Sequence, residues 1–144
     1  MRIAQGQLAG ALAAYEESLD IAREIAKQDP DNAGWARDVS VSLSRIGDAR
    51  MAQGQLAAAL AAYEESLDIR RRLTRQDPDN AGWARDVSVS LSKMAVADKA
   101  NADKYWAEMI ERMEDQDSKG TLLPGDVPIL ERARRNLATE TKQE

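Results

Sequence analysis

Residues 28–44, QDPDNAGWARDVSVSLS, return without a change as residues 76–92. Two folds are open to this segment. Val39-Ser40-Val41-Ser42-Leu43-Ser44 alternates apolar and polar residues, the pattern of a half-buried strand. The same stretch also holds Trp35, Val39, Leu43, Ile46 and Ala49, at steps of four, four, three and three, which is one helical stripe. The alternation spans six residues and the stripe fifteen. The spacing therefore predicts a helix.

The repeat extends well beyond that segment. Residues 5–52 align with 53–100 without a gap, and 36 of the 48 positions are identical. Tyr15-Glu16-Glu17-Ser18-Leu19-Asp20-Ile21 matches Tyr63-Glu64-Glu65-Ser66-Leu67-Asp68-Ile69. Leu56 to Gln76 reads as a second helix, with Leu56, Ala59, Leu60, Tyr63, Leu67 and Leu73 on one stripe of good helix formers. It ends at Asp77-Pro78-Asp79-Asn80, as the first copy ends at Asp29-Pro30-Asp31-Asn32. Proline disfavours helix in the residue before it, and Asp or Asn can cap the helix that follows. Gln53-Gly54-Gln55 is expected to turn the chain between antiparallel helices. A unit of this kind cannot close its own core and must stack on its copy. The expected class is all-α: an α-α superhelix, a right-handed solenoid of about six helices in antiparallel pairs.

Composition narrows the function. Hydrophobic residues make up 43% of the 144, aromatics only 4%, and alanine is abundant, which suits closely packed helices. The net charge of -5 argues against nucleic acid, which favours a basic face. There is no cysteine and no histidine, so disulfides, thiol chemistry and the commonest general base and metal ligand are excluded. No glycine-rich phosphate loop or metal-ligand cluster is visible, and no cofactor is expected. No apolar run is long enough to span a bilayer, and the first residues do not read as a signal peptide. The expectation is a soluble, cytoplasmic, non-catalytic protein that binds neither nucleic acid nor membrane.

Ile46-Gly47 before the turn at Gly54, then Ala59, Tyr63 and Leu67, resembles the Leu-Gly, Ala, aromatic pattern of tetratricopeptide repeats. The resemblance covers both copies. It departs from the family at Arg50, where an aromatic is usual, and in a period of 48 against roughly 34. The excess is about four helical turns, two on each helix, as in the long-helix type of kinesin light chains and many bacterial repeat proteins. The resemblance implies a scaffold that binds a protein or peptide partner in a concave groove lined by the first helix of each pair. Carried over by position, the groove residues are Arg37, Val41, Ser44, Arg45 and Asp48, then Arg85, Val89, Ser92, Lys93 and Val96. Paired Arg37 and Arg85 would suit an acidic or carboxylate-bearing peptide. The Lys and Asn clamp of chaperone-binding members is replaced by Ser44, Asp48, Ser92 and Val96, which speaks against that activity.

The remainder divides as follows. Residues 1–139 read as one solenoid, with a degenerate third copy and capping helix over 101–139 and a frayed tail at 140–144. Ala102, Trp106 and Ile110 stand in for Ala59, Tyr63 and Leu67, with Met109 and Met113 extending that face. Gly120 to Pro128 reads as a loop, with Asp126 as a cap and Pro128 in the first turn of the last helix. Leu130, Ala133 and Leu137 line that helix. Arg2-Ile3-Ala4 matches Arg50-Met51-Ala52, the tail of a helix whose body is missing. The first long helix should then expose Leu8, Ala11, Leu12, Tyr15 and Leu19, a stripe fit for self-association, domain swapping or packing within a longer parent protein.

Other clusters read as structure. Adjacent helical residues point about 100° apart, so Glu16-Glu17 and Glu64-Glu65 do not converge for catalysis and belong on a solvated face. In the basic cluster Arg70-Arg71-Arg72 with Arg75, Asp68 lies three and four residues before Arg71 and Arg72, and pairing along the helix is expected. Trp35 and Trp83 are expected in packing.

Overall fold

A computed structural model describes the backbone of residues 2–142 and the side chains of residues 6–139. Among the described residues there are six α-helices, two 3-10 turns and no strand. The chain resolves into two compact units, residues 1–73 and 74–144, with the boundary inside the third helix.

The first unit holds α1 (Arg2–Gln28), α2 (Ala33–Ala52) and α3 (Leu56–Gln76) as far as Leu73. Val39 to Ser44 is helical, as the longer stripe predicts. Asn32 starts α2: its backbone is extended and its side chain accepts hydrogen bonds from Gly34 and Trp35 N–H at 3.0 and 3.4 Å, which satisfies donors the helix cannot. The core comes from the expected stripes. Val39, Leu43, Ile46 and Ala49 of α2 are buried, with Ala59, Tyr63, Leu67 and Leu73 of α3. Leu56 and Leu60 lie at the margin of theirs. Two packing details tie α2 to α3. Gly47 meets the Tyr63 ring so closely that a Cβ there would collide with it. The Ser66 hydroxyl donates to the Ser40 carbonyl at 2.7 Å.

Gln53-Gly54-Gln55 makes the expected turn. Gly54 sits at φ 75°, a conformation open to glycine at little cost, and Gln55 N–H donates to the Arg50 carbonyl at 2.9 Å. The identical Gln5-Gly6-Gln7 does not turn; it is part of α1. This corrects the expectation that residues 2–4 end a separate helix. In the second copy, folding back buries the α3 stripe on α2, which offsets the broken helical hydrogen bonds. In the first copy nothing among the described residues rewards a reversal, and local hydrogen bonding continues the helix.

The second unit holds the end of α3, then α4 (Ala81–Ala97), a 3-10 turn at Lys99–Asn101, α5 (Ala102–Ser118), a second 3-10 turn at Pro124–Asp126 and α6 (Val127–Lys142). Asn80 caps α4 by accepting from Trp83 N–H at 3.0 Å. Val87, Leu91, Met94 and Ala95 of α4 are buried, as are Ala102, Trp106, Met109 and Met113 of α5 and Leu130 and Ala133 of α6. The α5 stripe thus turns through Met109 and Met113, and Ile110 is only half-buried. The loop is shorter than expected, because α6 begins at Val127 with Pro128 in its first turn. α6 also runs to Lys142, into the tail expected to fray. Residues 143 and 144 lie outside the described residues.

Candidate functional site

In the first unit an open cleft of about 290 Å³ runs between α1 and α2. Ser18, Ile21 and Ala22 line it from α1, and Trp35, Asp38, Val41, Ser42 and Arg45 from α2. A second hollow, of about 380 Å³ and lined by Asn32, Gly34, Trp35, Arg37 and Asp38, shares two of those residues and prolongs the strip toward the start of α2. The floor is apolar, from Ile21, Ala22, Trp35 and Val41. The rim is charged, from Arg37, Asp38 and Arg45. Ile21 is 56% exposed.

Neighbouring contacts hold the cleft walls. The Arg45 guanidinium lies 5.9 Å from the Tyr15 ring centroid, within cation–π range. Arg50 reaches from α2 to Glu16 of α1 at 3.1 Å and also donates to Gln55 at 2.8 Å. Arg23 makes a two-pronged pair with Glu65 of α3, at 2.6 and 3.0 Å. The aromatic of the family pattern is thus replaced at Arg50 by an ionic link between helices. Glu16 and Glu65 serve that same purpose and are not merely solvated.

Of the groove residues expected on α2, Arg37, Val41 and Arg45 line the two hollows. Ser44 does not: it is buried. Asp48 is exposed, yet it accepts the Tyr63 hydroxyl at 2.5 Å. Burial, reinforced by that hydrogen bond, holds the Tyr63 phenol protonated well above the ordinary phenol range.

In the second unit the expected residues present a different surface. Arg85 forms an ion pair with Asp126, Nε to Oδ1 at 3.4 Å. Asp126 is buried, and its Oδ1 receives no hydrogen bond. Ser92 donates to the Val89 carbonyl at 2.8 Å. Val89 and Val96 are exposed, Val96 at 61%, with Lys93 half-buried between them.

The stripe expected on the outside of α1 is turned the other way. Leu12 and Leu19 are buried, and Leu8, Ala11 and Tyr15 are half-buried, because α1 packs along α2. The open side of α1 carries Ala14, Ser18 and Ile21 instead. Of the arginine cluster, Arg71 pairs with Asp68 at 3.4 Å as expected. Arg70 is buried and donates to the Ser40 hydroxyl at 3.1 Å, which removes it from any surface patch.

Among the described residues no group of three acidic side chains could hold a metal ion, and no helix is long and apolar enough to cross a membrane. Comparison with curated proteins and with solved structures returned no match. A family model described as tetratricopeptide repeat matches residues 3–31 and 39–79.

Proposed function

The chain belongs to the tetratricopeptide repeat family, and from that premise we propose that it is a non-catalytic scaffold whose α1/α2 cleft takes a helix or peptide of a partner protein. Repeats of this family are protein-interaction modules. What supports placing the contact in this cleft is one observation: an open apolar floor, with Ile21 left exposed, meets a charged rim that includes Arg37 and Arg45. Such a floor and rim suit an amphipathic helix or an extended peptide with acidic flanks. In the second unit we assign a separate, more apolar contact surface to Val89, Lys93 and Val96 of α4.

A library of displayed helical peptides, selected on the intact chain, tests the assignment. Selected peptides should carry acidic residues and lose at least tenfold in affinity when Arg37→Glu and Arg45→Glu are combined, with the helical circular dichroism unchanged. Peptides that bind the double variant as tightly as the parent would refute the cleft as the site.

A further inference from the structure

The chain contains its own precedent for what should lie in the cleft. On α3, Tyr63 to Ile69 is the same heptapeptide as Tyr15 to Ile21 of α1. There it is packed against α2. The Ser66 hydroxyl donates to the Ser40 carbonyl, the Tyr63 ring abuts Gly47, and the Tyr63 hydroxyl donates to Asp48. Ser66 has no exposed surface and Ile69 is 7% exposed. Forty-eight residues earlier, Ser18 and Ile21 carry the same side chains to solvent.

We infer that the α1/α2 cleft is the seat of a helix with the contact chemistry of α2, supplied by a different polypeptide; this rests on the cleft being the binding site. The incoming helix needs a small residue, such as serine, whose backbone carbonyl accepts from Ser18, as that of Ser40 accepts from Ser66. One turn or two further on it needs a glycine-sized residue that lets the Tyr15 ring approach, as Gly47 does for Tyr63. It also needs an acidic residue after that glycine, as Asp48 follows Gly47. The correspondence has one gap: Ala22 stands where α3 has Arg70. The serine hydroxyl of the incoming helix loses that donor but keeps its own bond to a carbonyl one turn back, as Ser40 does to Arg37 at 2.7 Å. Alanine in place of arginine also opens the floor of the cleft. A second copy of this chain is the poorer source. Its two helices of this type bury the serines in question, Ser40 completely and Ser88 nearly so, and neither is available without unfolding.

The probe is a synthetic peptide of residues 29–53, titrated into the full chain and followed by fluorescence anisotropy. Saturable binding is expected, and it should fall at least tenfold with Ser18→Arg combined with Ile21→Glu. Both positions are exposed, so the variant should keep the parent's melting curve. A peptide carrying Ser40→Arg should also fail to bind. Absence of binding, equal binding of a scrambled peptide, or equal binding by the double variant would overturn the inference. A dimer of the chain itself that Ser18→Arg with Ile21→Glu dissociates would also overturn it, by putting a second copy in the seat. If the α2-type peptide fails while library peptides still depend on Arg37 and Arg45, the occupant is wrong and the cleft stands. If neither binds, both fall.

Discussion

Tyr15 to Ile21 and Tyr63 to Ile69 are one heptapeptide held in two environments. On α3 its serine is sealed against α2; on α1 the same serine faces water. Side-chain chemistry is equal in the two places, so every difference in behaviour must come from the neighbour. The pair is a natural control for what one packed helix contributes.

The sharpest way to break the comparison is to put a charge at both serines. Ser66→Arg buries an unpaired cation against the Ser40 carbonyl and should cost more than about 4 kcal/mol, enough to unfold the first unit. Ser18→Arg should change stability by no more than about 0.5 kcal/mol. Urea unfolding followed by circular dichroism reads both, and equal effects would show that α1 is covered as α3 is. Glycine gives a second contrast. Gly47→Ala drives a methyl into the Tyr63 ring and should cost about 2 kcal/mol. Gly10→Ala meets nothing within 4 Å, and the second copy already has Ala58 there. It should gain about 0.5–1 kcal/mol by helix propensity alone.

The smallest effect concerns Tyr63. Removing its hydroxyl with Tyr63→Phe should cost about 1 kcal/mol at neutral pH, the worth of one hydrogen bond. Because the folded state raises this phenol's pKa, its contribution is complete below the unfolded value of about 10 and is lost as pH rises above it. The difference in melting temperature between parent and variant should therefore shrink above pH 10. A difference that stays constant to pH 11 would mean the phenol is not held by its surroundings.

Much of the fold could be read from the residues. The fifteen-residue stripe from Trp35 to Ala49 outweighed six residues of strand-like alternation, and Asn32, Asn80 and Gly54 fell where caps and a turn were expected. The site was harder, for two reasons. A hydrophobic stripe says that a face is buried but not against which neighbour, so Leu12 and Leu19 were placed outward although they pack inward. The open face of α1 is marked by a serine and one isoleucine, too little apolar surface to stand out. The 48-residue offset did hold the signal, in the pairs Ser18 with Ser66 and Ile21 with Ile69, but it becomes legible only when the burial of one member is known. Arg70 shows the same limit. A charge run is read as surface unless the hydroxyl waiting for it, here Ser40, can be seen.

Gln-Gly-Gln bends the backbone at 53–55 and passes straight through α1 at 5–7. The same tripeptide is thus compatible with a turn and with a continuous helix, and its surroundings select between them. Growth by tandem duplication would then need no new junction.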